Sequence, residues 1–215
     1  MIISYKNKYI FVANPKTATT SIQSFLLSVD ESAKKNWIEI RGEKYKFREH
    51  YTALQIKEVL GELYEEFTVF GFVRNPLDKI VSSYHFLKNG KPITQGHKRS
   101  TVPLRLKILT SRILPFKIWA LVYPYKSNKE YFTGLDERMI VDKIGLFENL
   151  NKEFGDIIIQ INGNLDISKL PEKNRSSHNQ YDNYIKGSLF KYLLNKKIKF
   201  DIDFYKNITS DGDRI

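Results

Sequence analysis

The sequence predicts an α/β fold in which helices cover both faces of a parallel β-sheet. Two observations lead to this prediction. Residues 8–14 and 67–73 are almost continuously apolar and rich in β-branched or aromatic side chains, as in strands that are buried on both faces. Each segment runs directly into a stretch whose apolar residues have helical spacing, and this alternation of strands and helices favours parallel strand pairing.

The remaining elements follow from the same patterns. Thr52 is placed to cap a helix, and a proline at position 76 suits the first turn of another helix. Residues 89–103 are polar and without periodicity, which predicts a long loop. We predict strands at residues 8–14, 36–40 and 67–73, and helices at residues 20–29, 53–63, 75–88, 104–122 with a break at Pro115, and 186–207. Residues 143–150 are predicted as a short strand that enters a helix, and this helix continues through residue 162.

Length and composition indicate a single globular domain over residues 1–215. The 215 residues are 41% hydrophobic and include no cysteine, which excludes disulfides, thiolate metal sites and a cysteine nucleophile. The first residues contain no apolar run of signal-peptide length, and the most apolar later stretch, residues 108–125, is interrupted by charged residues and proline. We therefore expect a cytoplasmic protein without a membrane span.

The positive charge is concentrated in one segment. The net charge is +11, and between Asp78 and Glu130 there is no acidic residue. The eleven basic residues of this segment account for the whole excess: Lys79, Lys88, Lys91, Lys98, Arg99, Arg105, Lys107, Arg112, Lys117, Lys126 and Lys129. A local positive field of this kind indicates an anionic partner. The alternative is a solvated, lysine-rich loop without a partner.

The first candidate site is the sequence PKTATTS, residues 15–21, between a strand and a helix. The first N–H groups of a helix are unpaired and its dipole is positive there, so that such a turn favours anions. Lys16 adds a charge, and four hydroxyl residues add donors. The P-loop pattern G-x-x-x-x-G-K-[ST] is absent, which argues against classical NTPase chemistry. The alternative is that Thr19 or Thr20 caps the helix and Lys16 is solvated.

The second candidate site is FVRNPLDKIVSSY, residues 72–84, where a strand again runs into a helix. Arg74 is at the junction, and Ser82 follows eight residues later, about two helical turns into the helix. These two side chains are able to converge on one phosphate, to which a guanidinium offers a bidentate fork. Asp78 and Lys79 are interpreted as helix-dipole and surface charges.

The two segments together resemble the nucleotide-binding signatures of sulfotransferases that use 3′-phosphoadenosine-5′-phosphosulfate (PAPS). The first signature of that family is commonly P-K-[TS]-G-T-[TS]-[SW]. This chain has Ala18 in place of the usual glycine, which is similar to the heparan sulfate 2-O-sulfotransferase branch.

Further matches resemble the carbohydrate-type (family 2) sulfotransferases. EHYTALQI, residues 49–56, is similar to their H-x-[TS]-A element, whose histidine is the proposed base. GLFENL, residues 145–150, resembles their F-E-N-L segment, and NRSSHNQYDNYI, residues 174–185, resembles their N-[RK]-S-x-H loop over the nucleotide. Only a basic variable insert at about residues 88–130 has no counterpart.

The resemblance implies a P-loop-like parallel β-sheet flanked by helices, the sulfotransferase fold, with PAPS as donor co-substrate and no metal. It implies in-line transfer of the sulfuryl group to a hydroxyl, or less readily an amine, of a carbohydrate or glycan acceptor, neutral or anionic. Lys16 would stabilise the leaving oxygen, and His50 would act as base. The implied donor-binding residues are Lys16, Thr17, Ala18, Thr19, Thr20 and Ser21 for the 5′-phosphosulfate, Arg74 and Ser82 for the 3′-phosphate, and Arg175, Ser176 and Ser177, with His178, in the late loop.

Two other functions fit the sequence less well. A nucleotide kinase-like phosphotransferase predicts a glycine-rich loop and a magnesium-binding carboxylate at a strand end, and neither is found in the sequence. A non-catalytic nucleic-acid-binding protein would interleave aromatic and basic residues for stacking. In residues 79–129, however, Trp119, Tyr123 and Tyr125 lie in an apolar stretch that looks buried. We therefore expect no nucleic-acid partner.

Overall fold

The computed structural model describes residues 1–90, 102–161 and 180–210. It has an α/β architecture with a five-stranded sheet, flanked by helices, and a separate two-stranded sheet. The strands are β1 (Ile2–Ser4), β2 (Tyr9–Val12), β3 (Lys34–Lys35), β4 (Trp37–Ile40), β5 (Glu43–Lys46), β6 (Thr68–Val73) and β7 (Lys143–Leu146). The helices are α1 (Thr19–Val29), α2 (Ala53–Leu60), α3 (Pro76–Asn89), α4 (Val102–Ile113), α5 (Phe116–Val122), α6 (Lys129–Phe132), α7 (Leu150–Ile161), α8 (Ser188–Lys197) and α9 (Lys199–Ser210).

The five-stranded sheet is mixed, so the prediction of a wholly parallel sheet is wrong at one edge. The strand order is β3-β1-β2-β6-β7. The strands β2, β6 and β7 pair in parallel, with Tyr9 opposite Thr68 and Phe70 opposite Lys143. By contrast, β1 pairs antiparallel with both β2 and β3. The strands β1 and β3 are only three and two residues long, too short to produce a recognisable period in the sequence.

Most of the predicted helices and strands are confirmed, with differences in one helix and in the partner of one strand. Thr52 caps α2 with a full capping box, in which its side chain accepts from the Gln55 N–H. The helix predicted over residues 186–207 is divided into α8 and α9 at Ile198. The predicted strand at residues 36–40 exists as β4, but it pairs with β5, which the sequence analysis did not predict, in the two-stranded sheet.

The core lies on both faces of the five-stranded sheet because strand residues alternate between them. On one face, Ile10 and Val12 pack with side chains of α2, α6 and α9. On the other face, Tyr9 and Phe11 pack with side chains of α1 and α7. A third apolar cluster joins α3 to α5 and α8 around the buried Trp119.

The topology brings three chain segments together at one edge of the sheet. The carboxyl ends of β2, β6 and β7 lie side by side, because these strands are parallel neighbours. Each strand is followed closely by a helical segment: α1, α3, or the 3₁₀ turn Phe147–Asn149. Ligand sites in such sheets lie outside the carboxyl ends of the strands. Both predicted anion-binding segments lie at this edge.

Candidate anion-binding site at the carboxyl edge of the sheet

The turn between β2 and α1 is held by its own hydroxyl groups. Lys16 and Ala18 have positive φ angles of 69° and 57°, which are uncommon for residues with a side chain. The hydroxyls of Thr17 and Thr19 both donate hydrogen bonds to the carbonyl of Asn14, at 2.8 and 2.7 Å. Both hydroxyl groups thus donate their protons within the turn and stabilise it. A direct contact from either hydroxyl to a ligand stays a prediction.

The N-terminus of α1 has no side-chain cap. Ala18 occupies the cap position and offers no hydrogen-bonding group, so neither Thr19 nor Thr20 caps the helix. Within residues 1–90, 102–161 and 180–210, no acceptor faces the N–H groups of residues 16–20. Thr20 is exposed beside them, whereas Ser21 is buried. Open N–H groups at the positive end of a helix dipole bind anions.

The N-terminus of α3 differs, because protein groups already occupy it. The Asn75 side-chain oxygen accepts from the N–H groups of Leu77 and Asp78. The Asn75 N–H itself donates to Glu148 Oε1 at 2.7 Å. Of these two neighbouring helix ends, that of α1 is therefore the one open to an anion.

Arg74 lies at the end of β6 and links this strand to the turn between β2 and α1. Its Nη1 donates to the Lys16 carbonyl at 2.9 Å and to Ser82 Oγ at 3.2 Å. Its Nε donates to Asp78 Oδ2 at 2.8 Å, and its guanidinium carbon lies 4.2 Å from the centre of the Phe147 ring. Nη2 has no hydrogen-bond partner among the described residues, which leaves two N–H groups for a further acceptor.

Ser82 contacts Arg74 directly, whereas the spacing of eight residues predicts that both side chains converge on one phosphate. Its side chain has no exposed surface, and its hydroxyl accepts the hydrogen bond from Arg74 Nη1. In this structure Ser82 therefore positions the guanidinium, and a direct phosphate contact from Ser82 stays a prediction. Asp78, interpreted from the sequence as a helix-dipole charge, is also the ion-pair partner of Arg74.

Lys16 adds a second cation close to Arg74. Its Nζ lies 4.1 Å from the centre of the Phe86 ring. Burial, and after it the charge of Arg74, lower the pKa of Lys16 from 10.5 to about 8. No carboxylate in the described part of the chain forms an ion pair with Lys16. Two carboxylates also lie at these turns: Asp78 pairs with Arg74, and Glu148 accepts from the Asn75 N–H. Lys16 is thus the cation that keeps its charge available for an anion.

His50 reaches the same turn from the segment that precedes α2. Its Nδ1 lies 2.8 Å from the carbonyl oxygen of Ala13. A carbonyl only accepts, so Nδ1 carries the proton and Nε2 of the neutral ring carries the lone pair. Desolvation lowers the pKa of His50 below its ordinary value, while the Ala13 carbonyl and Glu49 oppose that shift. A neutral, partly accessible imidazole suits a general base.

A buried polar network lies beneath the two turns. Lys79, interpreted from the sequence as a surface charge, is 3% exposed. Its Nζ donates to Asn14 Oδ1 at 2.9 Å, to Asn128 Oδ1 at 3.2 Å and to the Lys126 carbonyl at 3.2 Å. Burial lowers the pKa of Lys79 to about 7, although Asp201 and Glu130 oppose the shift.

Asn128 connects this network to both strand ends. Its Nδ2 donates to the Arg74 carbonyl at 2.9 Å and to Asp201 Oδ2 at 3.0 Å. Asn14 Nδ2 donates to Asn128 Oδ1 and to the Phe72 carbonyl, both at 2.9 Å. The two turns are therefore fixed from below by residues that the sequence analysis did not select. Asn14 directly precedes PKTATTS, which is the only local signal for it, and Asn128 and Asp201 are distant in sequence.

The late loop of the sequence prediction lies outside the described residues. Arg175, Ser176, Ser177 and His178 all fall in this part of the chain. The described chain resumes at Gln180, and Tyr181 lies near Asn75 at the start of α3.

A shallow concavity lies beside the segment that leads to His50. It has a volume of about 360 Å³ and is lined by Asn36, Trp37, Lys44, Lys46 and Phe47. Lys44 Nζ lies 4.7 Å from the centre of the Trp37 ring. Phe47 precedes His50 by three residues. Within the described ranges, no group of three or more histidine or carboxylate side chains is arranged to hold a metal ion.

Comparison with known proteins identifies no relative of this chain. No family model, no curated protein and no solved structure matches it. The resemblance to sulfotransferases therefore depends on the motifs quoted above, and the geometry of the two turns is independent of it.

Proposed function

We propose that this protein is a PAPS-dependent sulfotransferase of the sulfotransferase fold, acting on a hydroxyl of a carbohydrate or glycan. The observation that carries the proposal is the meeting of the two predicted anion-binding segments. Arg74 of the second segment donates a hydrogen bond to the Lys16 carbonyl of the first, over a separation of 58 residues. The hydrogen-bond donors of the two segments therefore lie in one cluster.

The donor set fits a ligand with two anionic groups. The open N–H groups of residues 16–20, with Lys16 and the exposed Thr20, suit a 5′-phosphosulfate at the end of α1. The free Nη2 of Arg74 suits a 3′-phosphate, with Ser82 and Asp78 holding the guanidinium in place. An ordinary mononucleotide, which lacks the 3′-phosphate, would use only the first set.

The chemistry proposed for the site needs one base and one cation at the leaving group. When bound, PAPS supplies the sulfuryl group that moves to the acceptor oxygen as the bond to the 5′-phosphate oxygen breaks. His50 Nε2 takes the proton of the acceptor hydroxyl, because the Ala13 carbonyl holds the proton on Nδ1. Lys16, as a cation, stabilises the negative charge on the leaving oxygen.

The acceptor is proposed to approach from the side of His50. The concavity beside the segment that leads to His50 is lined by Trp37, Lys44 and Lys46, and an exposed aromatic ring flanked by lysines suits a sugar that carries negative charge. The assignment of a carbohydrate acceptor otherwise depends on the sequence resemblance.

Calorimetric titration tests the donor assignment. We expect 3′-phosphoadenosine-5′-phosphate to bind more tightly than AMP, and more tightly than ATP without magnesium, because only the first ligand carries both the 5′- and the 3′-phosphate. Equal binding of the three nucleotides, or no binding, contradicts the proposal. Lys6→Ala, in the turn between β1 and β2 at the opposite edge, is a control for loss of general positive charge.

Transfer is then tested with labelled PAPS and a set of glycans, in the wild-type protein and in His50→Ala. Label should appear in a glycan only with the wild-type protein. Label transfer that persists fully in His50→Ala removes His50 from the mechanism.

A further inference from the structure

Helix α4 presents apolar side chains to solvent as well as to the core. Its inner side carries Ile108, which packs against the Trp119 cluster, and the fully buried Ser111. On the outer side, Leu106, Leu109 and Ile113 are 58%, 53% and 67% exposed. A helix on the surface of a globular protein normally places polar residues on this outer face.

The exposed aliphatic residues of α4 form one stripe. At about 100° per residue, Leu106, Leu109 and Ile113 lie within an arc of about 60° on the helix surface. Beyond the break at Pro115, Ile118 and Val122 of α5 are also more than half exposed. We call these five residues the outer apolar surface. No other part of the described chain combines so many exposed aliphatic residues in two consecutive helices.

Basic residues flank this surface. On the helical wheel of α4, Arg105 and Arg112 lie about 70–90° from the middle of the stripe on one side, and Lys107 lies about 130° from it on the other side. Lys117 occupies an exposed position in α5. Between Asp78 and Glu130 the chain has no acidic residue. An apolar face with cationic flanks is the pattern of helices that lie in the interface of an anionic membrane.

Charge and polarity together select the partner. A soluble polyanion would be held by the cations alone and would leave five aliphatic side chains without a role. A second copy of the chain, docked by a twofold axis, would place four cations against four cations. An anionic bilayer accommodates both features, because its headgroups bind the cations and its acyl boundary accepts the aliphatic side chains.

We propose that α4 and α5 dock on the surface of a membrane that contains anionic lipid. The binding is peripheral: none of the described helices is long and apolar enough to cross a bilayer. The outer apolar surface enters the interface, and Arg105, Lys107, Arg112 and Lys117 contact the headgroups. This interaction does not depend on the proposed enzymatic function.

Vesicle co-sedimentation of the full chain tests the proposal. We expect binding to phosphatidylcholine vesicles with about 30% phosphatidylserine, and at least about tenfold weaker binding to phosphatidylcholine alone. The double variant Leu109→Ser/Ile113→Ser should reduce binding to the anionic vesicles by about tenfold or more, because it removes apolar contacts and keeps every charge. Leu135→Ser, at a residue that is 88% exposed in a different region, is the matched control and should bind as the wild type does.

A second pair of variants isolates the charge. Lys107→Gln/Lys117→Gln should weaken binding by about fivefold for each lysine, whereas Lys6→Gln/Lys152→Gln should have little effect. Circular dichroism checks that each variant is folded. Lys107 is half-buried, with its Nζ 5.6 Å from the centre of the Tyr123 ring, whereas the other substituted positions are exposed.

Several outcomes overturn the proposal. No binding to anionic vesicles does so, and so does equal binding of the wild type and Leu109→Ser/Ile113→Ser. A polyanion site is indicated instead if two results occur together. Dextran sulfate displaces the wild-type protein completely from the vesicles, and Leu109→Ser/Ile113→Ser binds the vesicles as the wild type does. A dimer in sedimentation velocity that this double variant dissociates, without vesicle binding, would identify the surface as a contact between copies.

Discussion

Arg74 Nη1 lies 2.9 Å from the carbonyl oxygen of Lys16 and donates a hydrogen bond to it. The bond joins the turn after β2 to the end of β6. It also fixes the backbone of Lys16 in its uncommon left-handed conformation, with φ of 69°. The positions of the two cations are therefore coupled, and a change at Arg74 is expected to reach the end of α1.

The first prediction concerns the geometry of Arg74. In Arg74→Lys the charge remains, but one ammonium group is unable to reproduce the separate contacts of Nε and Nη1 with Asp78, Lys16 and Ser82. We expect the ratio of the Kd values for AMP and 3′-phosphoadenosine-5′-phosphate to fall by about tenfold or more. Arg41→Lys, at an exposed arginine that pairs with Glu66, is the control. An unchanged ratio in Arg74→Lys would remove Arg74 from the 3′-phosphate site.

The second prediction concerns proton uptake by Lys16. With a pKa of about 8 in the free protein, Lys16 is partly neutral at pH 8.5, and a bound phosphate would raise that pKa. Binding of 3′-phosphoadenosine-5′-phosphate at about pH 8.5 should therefore take up a fraction of a proton. Calorimetry in two buffers with different ionisation enthalpies measures this fraction.

Lys16→Met is the variant that separates this effect from other ionisations. It should bind the nucleotide without the extra proton uptake, and it should lose more in transfer rate than in donor affinity. Proton uptake equal to that of the wild type would show that another group titrates.

The third prediction concerns His50 as base. In His50→Gln the side chain keeps a donor for the Ala13 carbonyl but has no basic nitrogen. We expect the Kd for 3′-phosphoadenosine-5′-phosphate to change by less than about threefold, while kcat falls by about a hundredfold or more. Loss of nucleotide binding in this variant would instead indicate a structural role for His50.

The pH dependence of transfer follows from the same residue. The base is active when neutral, so the rate should fall as pH decreases through the pKa of His50. Since desolvation lowers that pKa, the acid limb should lie below about 6.5, the ordinary value. On the alkaline side the rate should fall as Lys16 loses its proton. A single acid limb above pH 7 would contradict the assignment of the base.

The sequence was sufficient to predict the residues at the strand ends. The turn at PKTATTS and the pair Arg74 and Ser82 are local features, since each depends on a strand that runs into a helix within a few residues. The antiparallel edge was not predictable in this way. The strands β1 and β3 are too short for a hydrophobic period, and their pairing depends on contacts distant in sequence.

The buried polar network around Lys79 was also not predictable from the sequence. Lys79 resembles a surface charge because it lies between helix-forming residues, yet its partners Asn14, Lys126 and Asn128 come from elsewhere in the chain. A lysine has no local signal for burial when its acceptors are contributed by other elements. The positions that fix the two turns are thus determined by packing and not by the motifs.

The fourth prediction concerns Lys79. In Lys79→Met the acceptors on Asn14, Asn128 and Lys126 lose a buried donor, which should lower the free energy of unfolding by about 2 kcal/mol at pH 7. Lys57→Met, at a partly exposed lysine that pairs with Glu65, should change it by less than about 0.5 kcal/mol. Urea denaturation measures both values. A change for Lys79→Met no larger than that control would mean that the network contributes little to stability.

The sign of the pH effect gives a further check on Lys79. Burial lowers its pKa in the folded protein to about 7, below the unfolded value of about 10.4, so unfolding takes up a proton between these values. The contribution of Lys79 to stability is therefore complete above the unfolded pKa and decreases as pH falls towards 7. The difference in stability between the wild type and Lys79→Met should be larger at pH 9 than at pH 7.

The fifth prediction concerns the contact between β6 and α6. Gly71 lies under the Phe132 ring, and a Cβ placed at residue 71 would lie 2.4 Å from Phe132 Cε1. Phe132 is fully buried, as are Ile10 and Val12 of the sheet in the same core cluster. The ring therefore has little room to move. Gly71→Ala should therefore lower the free energy of unfolding by about 1–3 kcal/mol through overpacking.

A double-mutant cycle distinguishes the clash with Phe132 from a destabilisation that any side chain at residue 71 would cause. Phe132→Leu alone should destabilise the protein by leaving a cavity, but in combination with Gly71→Ala the added methyl group occupies part of the space that the ring vacates. The double variant should then be more stable than the sum of the two single changes predicts. Simple additivity would show that the Phe132 ring is not what restricts residue 71 to glycine.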